Sequence, residues 1–188
     1  MGLDLHRHDE FSAFDGFGKA LDLAAIAKEK GLTSLGLSNH GNVNGLVEHY
    51  NACKEVGIKP ILGVEGYFQP KYNVEQPSSD RFHLCLFAKN LKGYANINKL
   101  MTAANIKQKY YKPIIDFKLL EKYHEGIICT SACIAGPLSY LLKEGKDATA
   151  YKVASRFVDL FGEDFYIEIQ PYTLSTPGVQ EKVNIKLL

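Results

Sequence analysis

The fold is decided by residues 35–68, LGLSNHGNVNGLVEHYNACKEVGIKPILGVEGYF. An apolar run at 35–37 ends in a polar loop, a helical pattern follows, and a second apolar run fills 60–68. Asn44 is a suitable N-cap for this helix, which we expect to continue through Val56 and to end at Gly57. A strand, a helix and a second strand in this order form the repeating unit of an α/β protein. The helix residues expected to face inward are Leu46, Val47, Tyr50 and Cys53.

The same unit recurs along the whole chain. Further apolar runs lie at 3–5, 82–88, 126–129 and 165–169, and helical patterns lie at 19–30, 91–104, 116–123, 137–143 and 147–161. Strands that are apolar on both faces and alternate with helices are typical of a parallel sheet covered by helices. The sequence therefore predicts an α/β fold with six parallel strands. Two long connections, 69–81 and 105–113, are predicted to leave this framework as loops.

Composition excludes several classes of protein. The chain has 188 residues, 22 Lys and Arg against 21 Asp and Glu, and a formal charge of +1. A strongly basic domain that binds nucleic acid through bulk charge is therefore excluded, so any contact with DNA must be local. No apolar stretch approaches the roughly 20 residues that cross a bilayer, and no membrane association is expected. The four cysteines are too few for a disulfide framework, which favours the reducing cytoplasm.

The first candidate metal ligands are His6 and His8, which lie at the end of the first predicted strand. Residues two apart on a strand point to the same face, so the two imidazoles can converge on one ion. Taken alone, the His-x-His spacing is weak evidence, because it also arises by chance on half-buried strands.

Other strands carry ligands of the same kind. Glu65 lies within an apolar run, where an unpaired carboxylate would be costly unless a positive group faces it. Clustering at strand ends is typical of an active site at one rim of a strand-helix barrel. The remaining candidates are Asp15, His40, His83 and Cys133. Structural roles stay open for three of them: His83 as a core histidine, Cys133 as a small buried residue and Asp15 as a turn residue.

Three other features are assigned ordinary roles. His49 and His124 match no partner pattern and are predicted to lie at the surface. Ser131 lacks a histidine–carboxylate arrangement in the sequence, so serine nucleophile chemistry is not expected. Residues 107–112, KQKYYK, mix cations with aromatic rings. That composition suits contact with a nucleic-acid backbone and its bases, but it also suits a solvated loop.

With these residues in place, the chain resembles the polymerase and histidinol phosphatase (PHP) domain family, and most of all the version at the N-terminus of bacterial DNA polymerase III alpha subunits. The matching stretches are LHRHDEFSAFDGFGK, the segment quoted above, FHLCLFAKNLKGYANINKL, LLEKYHEGIICTSACIAG and FYIEIQPYTLSTPGVQEKVN. The resemblance implies a distorted TIM-like barrel of seven strand-helix units, one more than the strands counted. The domain is therefore expected to occupy residues 1–188 and to lack its last strand-helix unit.

The resemblance also implies a metal cluster at the C-terminal rim of the barrel. Seven of nine family ligands match this chain: His6, His8, Asp15, His40, Glu65, His83 and Cys133. The other two form an Asp-x-His pair on the last strand, and no histidine follows His124 in these residues. Divalent ions are the implied cofactors, with zinc first and manganese, magnesium or iron as alternatives. Asn39 stands where the family usually has an aspartate that orients the loop histidine, so the resemblance leaves open how firmly His40 is oriented.

The implied function is that of a PHP domain in a replicative polymerase, with ancestral metal-dependent phosphoester hydrolysis as a 3′-to-5′ proofreading exonuclease. The implied partners are the remainder of the alpha subunit, DNA and a separate proofreading exonuclease subunit. Two alternatives stay open: a non-catalytic, metal-stabilised scaffold that docks such an exonuclease, and a stand-alone phosphatase like histidinol phosphatase. Without the last ligand pair, catalysis by these residues alone is expected to be weak.

Overall fold

The computed structural model describes residues 3–71, 80–170 and 178–188. Its strands are β1 (Leu3–Asp4), β2 (Ser34–Leu37), β3 (Lys59–Phe68), β4 (Phe82–Ala88), β5 (Lys109–Tyr110), β6 (Lys112–Ile115), β7 (Ile127–Thr130) and β8 (Phe165–Tyr166). Its helices are α1 (Ala20–Glu29), α2 (Leu46–Val56), α3 (Leu91–Lys107), α4 (Phe117–Tyr123), α5 (Pro137–Lys143), α6 (Asp147–Phe161) and α7 (Val179–Leu187).

The strands form one mixed sheet in the order β1-β2-β3-β4-β7-β8, and β6 pairs with both β3 and β5. β2 is parallel to β1 and β3, β6 is parallel to β3, and β8 is parallel to β7. β4 is antiparallel to both β3 and β7, so the prediction of an all-parallel sheet is wrong at this strand. The reason lies in the sequence: no helical pattern separates 60–68 from 82–88, and a parallel pair needs such a crossover. The predicted α/β fold, a distorted barrel, is confirmed.

The barrel is open on one side among the described strands. β1 pairs only with β2, and β8 pairs only with β7. A cavity of about 640 Å³ lies beside these two edges, and Leu5, Ile61, Phe87 and Ile128 are among its lining residues. Of the seven candidate metal ligands, His6 also lines this cavity.

Helix α2 begins and faces differently from the prediction. Its N-cap is Gly45 in the left-handed region (φ 78°), rather than Asn44. Val47 and Tyr50 are exposed, at 60% and 44%, whereas His49 is buried. His49 Nε2 lies 3.0 Å from the backbone oxygen of Leu35, and burial lowers the pKa of His49. The prediction that His49 is a surface residue is therefore wrong, because this hydrogen bond to β2 lets the imidazole join the inward face.

The loop predicted at 105–113 is largely ordered secondary structure. Helix α3 continues to Lys107, and β5 and β6 then form a hairpin through Tyr111, whose φ is 59°. The Lys112 ammonium lies 5.4 Å from the centre of the Tyr67 ring, so the hairpin contacts β3. The other long connection, predicted at 69–81, lies mostly outside the described residues.

The main core lies between the sheet and helices α3, α4 and α6. Phe157 of α6 is fully buried, and its ring centre lies 5.4 Å from Phe68, 5.0 Å from Phe117 and 5.2 Å from Phe165. Its aromatic contacts join α6 to β3, α4 and β8 in one apolar cluster. Within the described residues, no helix has the length and apolar character to cross a membrane.

Candidate metal centre

Glu65 lies at the centre of the candidate site. It is in β3, its side chain is 1% exposed, and its backbone forms a bridge with His40. Each carboxylate oxygen faces imidazole nitrogens. Oε1 lies 2.9 Å from His6 Nε2 and 2.9 Å from His83 Nδ1. Oε2 lies 2.9 Å from His8 Nε2 and 3.0 Å from His40 Nε2. The charge that the sequence required beside this buried carboxylate is thus supplied by histidines.

The sheet topology brings these histidines to one rim. His6 and His8 follow β1, and His40 follows β2, so they leave the carboxyl ends of parallel strands. His83 instead lies near the start of β4, opposite Tyr67 of β3. Because β4 is antiparallel, its beginning lies at the same rim as the ends of its neighbours.

Asp15 and Cys133 complete the cluster. The Asp15 carboxylate contacts His40 Nδ1, lies 3.2 Å from His8 Nδ1 and accepts a hydrogen bond of 2.6 Å from Ser12 Oγ. Cys133 Sγ lies 3.4 Å from His83 Nδ1 and 3.7 Å from Glu65 Oε1. The structure therefore brings all seven predicted ligand residues together, while their binding of metal stays a prediction.

Asn39 has a partner that accounts for its departure from the family pattern. Its amide nitrogen donates to Asp9 Oδ1 at 2.7 Å and to the Asn44 backbone oxygen at 3.1 Å, and its Oδ1 accepts from Asp9 N at 3.0 Å. Both side chains are about 1% exposed. An aspartate at position 39 would place a second carboxylate against Asp9, whereas asparagine donates to it. The segments that carry His8 and His40 are therefore tied together next to the site.

Glu168 belongs to the site and was missed by the sequence analysis. Its Oε1 lies 2.6 Å from His6 Nδ1, on the side of the ring away from Glu65. The run at 165–169 was interpreted only as an apolar strand, although β8 ends at Tyr166. The signal was the one used for Glu65, a carboxylate between apolar residues, here Ile167 and Ile169.

The electrostatics of the cluster depend on burial and on the contacts to Glu65. Burial raises the pKa of the Glu65 carboxyl, but interactions with His40, His6, His8 and His83 outweigh it and hold the pKa far below its usual range. Burial lowers the pKa of His83, but contacts with Cys133 and Glu65 outweigh it and raise the pKa to about 9. In the same way, the pKa values of His6 and His40 are raised against the effect of burial. The ionised Glu65 carboxylate therefore favours positive charge beside it, carried in the metal-free protein by protonated histidines.

The residues fit divalent metal ions. His8 Nε2 and Glu65 Oε2 are buried atoms without a hydrogen bond of normal geometry, although they lie 2.9 Å apart. Buried polar atoms rarely stay unsatisfied, and a cation between them would satisfy both. Imidazole nitrogen, carboxylate oxygen and the thiolate of a deprotonated cysteine are ligands that zinc accepts. Three groups place ligand atoms within 4.8 Å of one another: His6, Glu65 and Cys85; His8, Asp15 and His40; His40, Glu65 and His83.

The raised pKa of His83 predicts opposite pH dependences for metal-free and zinc-treated protein. His83 shifts from an ordinary value of 6.5 to about 9, so its protonated form stabilises the fold. That contribution is complete below pH 6.5 and is lost as the pH rises through about 9. Metal binding requires the neutral imidazole, so zinc should stabilise the protein more as the pH rises over the same interval. Urea unfolding with and without a chelator measures both slopes.

A matched pair of variants tests the origin of this pH dependence. In the metal-free protein, the free energy of unfolding should fall less steeply with rising pH in His83→Gln than in the wild type. His124→Gln should show the same fall as the wild type. His124 is outside the cluster and its ring contacts the backbone oxygen of Glu121. Equal pH dependence in both variants would show that His83 does not carry the effect.

Two solved structures resemble the fold weakly. An amidohydrolase from Chromobacterium violaceum aligns with a TM-score of 0.43 and 19% identity, over 57% of this chain and 34% of that one. A proposed metal-dependent phosphoesterase from Bifidobacterium adolescentis aligns with a TM-score of 0.41 and 19% identity, over 88% of this chain and 58% of that one.

The similarity in sequence to known proteins is much stronger than this similarity in structure. The chain is 41% identical to the DNA polymerase III alpha subunit of Campylobacter jejuni, over 98% of this chain and 17% of that subunit. The identity to the Aquifex aeolicus subunit is 41%, over 97% of this chain and 16% of that subunit. The identity to a Helicobacter pylori subunit is 39%, over 88% of this chain and 14% of that subunit. The chain thus spans 14–17% of the length of these relatives. The sequence profile named PHP domain matches residues 4–172, and the chain therefore belongs to the PHP domain family.

Proposed function

We propose that this chain is the PHP domain of a DNA polymerase III alpha subunit and that it binds divalent metal ions around Glu65. The observation that carries the proposal is the pairing of one buried carboxylate with four histidines, two at each oxygen. The similarity to alpha subunits across nearly the whole chain supports the polymerase assignment. We also propose that residues 1–188 form the domain without its last strand-helix unit.

In this proposal the residues divide into two groups that share Glu65. The first group is His8 and His40, whose Nε2 atoms lie against Oε2, together with Asp15, which lies at their Nδ1 atoms. The second group is His6, His83 and Cys133, which lie around Oε1. A carboxylate with one group of ligands beside each oxygen can bind one ion at each oxygen and so hold two ions at a fixed separation. Zinc suits the nitrogen and sulfur donors, and manganese, magnesium or iron are alternatives. Bound ions of this kind supply charge neutralisation at a phosphate and activation of water for hydrolysis.

The chemistry we propose is phosphodiester hydrolysis of the 3′-to-5′ proofreading type, weak in these residues alone. The expected result is that purified 188-residue protein binds zinc but hydrolyses single-stranded DNA and bis-p-nitrophenyl phosphate slowly or not at all. The reason is that the Asp-x-His pair implied by the family resemblance is absent after Cys133, and a catalytic centre must fix the coordination of its ions. Metal analysis after dialysis and a hydrolysis assay with and without a chelator measure the two properties.

His8→Ala is the variant for this test, and His124→Ala is its control outside the cluster. Loss of bound zinc in His8→Ala, but not in His124→Ala, would support the metal centre. Fast, chelator-sensitive hydrolysis by the wild-type protein that disappears in His8→Ala would contradict the expected weak activity. A wild-type protein that retains no metal would overturn the proposed site.

A non-catalytic role is the second candidate, and the loop beside the site favours it. Phe14 and Phe17 are 107% and 89% exposed, close in sequence to Asp15. Large exposed apolar side chains often mark interfaces. We propose as partners the remainder of the alpha subunit, a proofreading exonuclease subunit and DNA, in the cytoplasm. A stand-alone phosphatase like histidinol phosphatase is less well supported, because the similarity found is to polymerase subunits.

A further inference from the structure

His6 is held from both edges of its ring. Its Nε2 lies 2.9 Å from Glu65 Oε1, inside the cluster, and its Nδ1 lies 2.6 Å from Glu168 Oε1, outside it. When metal binding displaces the proton on Nε2, an imidazole that still donates its Nδ1 proton to a carboxylate presents the Nε2 lone pair to the ion. Such a carboxylate partner fixes both the tautomer and the ring orientation of a metal-binding histidine.

Glu168 is itself fixed by three neighbours, two at its carboxylate and one at its backbone nitrogen. Its Oε2 accepts a hydrogen bond of 2.7 Å from Thr130 Oγ1, and its Oε1 accepts one of 3.1 Å from Gln170 Nε2. The backbone nitrogen of Glu168 donates to Ser131 Oγ at 2.9 Å, and Ser131 is fully buried. Thr130 is the last residue of β7 and Ser131 follows it, so these hydrogen bonds attach Glu168 to the central sheet.

We propose that Glu168 is a positioning residue: it accepts the Nδ1 proton of His6 and thereby directs the Nε2 lone pair of His6 toward the metal centre. This inference rests on the proposed metal-binding function. Glu168 contacts His6 on the ring edge opposite Glu65, and in this proposal it orients His6 and does not bind an ion itself. Its role is to order His6 before an ion binds, and thus to lower the entropic cost of binding.

Cys85 is the competing partner of the same nitrogen. Its Sγ lies 3.5 Å from His6 Nδ1, and a thiol that donated there would reverse the tautomer and leave Nε2 protonated. A thiol is a weak donor and an ionised carboxylate is a strong acceptor, so the contact with Glu168 dominates. The shorter distance to Glu168 agrees with this order.

The test compares Glu168→Ala and Glu168→Gln with Glu163→Gln, a change at an exposed glutamate of the same region. Zinc affinity is measured in the 188-residue protein by competition with a chromophoric chelator. The Nδ1 proton of His6 is followed by ¹⁵N-edited NMR in metal-free and zinc-loaded protein. Glu168→Ala should weaken zinc binding by about 10-fold to 100-fold with unchanged stoichiometry. It should also remove the hydrogen-bonded Nδ1 proton signal of His6.

Glu168→Gln should have a smaller effect, because the amide oxygen still accepts the Nδ1 proton, and Glu163→Gln should have none. Loss of one equivalent of zinc in Glu168→Ala would make Glu168 a ligand and overturn the proposal. An unchanged affinity together with an unchanged His6 signal would also overturn it. If wild-type protein binds no zinc, the proposed function fails, and the Nδ1 signal of the metal-free protein alone then decides whether Glu168 orients His6.

Discussion

Glu65→Gln is expected to abolish metal retention and to destabilise the metal-free fold. The Glu65 side chain is 1% exposed and its two oxygens face His6, His83, His8 and His40. Removing one partner from a buried charged cluster costs about 3–5 kcal/mol, because the remaining charges lose their compensation. Metal analysis after dialysis and urea unfolding in the presence of a chelator measure the two effects separately.

Glu48→Gln is the matched control for this experiment, since Glu48 is exposed on α2. It should retain zinc and the wild-type free energy of unfolding. If Glu65→Gln is too unstable to purify, Glu65→Asp keeps the charge but shortens the side chain. Glu65→Asp should fold with weaker zinc binding. Wild-type zinc affinity in Glu65→Gln would contradict the assignment of Glu65 as the central ligand.

Phe157→Ala is expected to be the most damaging substitution in the apolar core. Phe157 is fully buried against Phe68, Phe117 and Phe165, so its removal leaves a cavity that several elements border. Loss of a buried phenylalanine side chain costs about 3–5 kcal/mol. The urea midpoint should fall accordingly, while Phe157→Leu should cost less because leucine fills part of the space.

Phe17→Ala provides the comparison for the core, because Phe17 is 89% exposed. It should leave the free energy of unfolding almost unchanged. A similar loss of stability in Phe17→Ala and Phe157→Ala would contradict the packing described for α6.

Much of the fold could be predicted because local pattern and tertiary packing agree. Helices α5 and α6 have the predicted bounds, and the six predicted strands are present. The β5–β6 hairpin was not predicted because its residues, KYYKPII, show no regular alternation of apolar and polar residues. The direction of β4 was predicted wrongly, although the sequence lacks the helical pattern between 60–68 and 82–88 that a parallel pair needs.

The candidate site was predictable where a polar residue interrupts an apolar pattern. Glu65 and His83 stand out in this way, and the structure places them 2.9 Å apart. Glu168 has the same signal between Ile167 and Ile169, but the apolar residues of that run predict a strand without pointing to a partner for the carboxylate. His49 could not be assigned from the sequence, since its burial depends on a hydrogen bond to Leu35, which lies in another element.

The order of residues around Glu65 has a consequence for synthesis on the ribosome. Three of the imidazoles beside Glu65 precede it in the chain, those of His6, His8 and His40, whereas His83 and Cys133 follow it. Chains are made from the N-terminus, so three imidazoles have already been synthesised when β3 pairs with β2. The carboxylate therefore meets imidazole partners at its first burial, before the second half of the domain has been made.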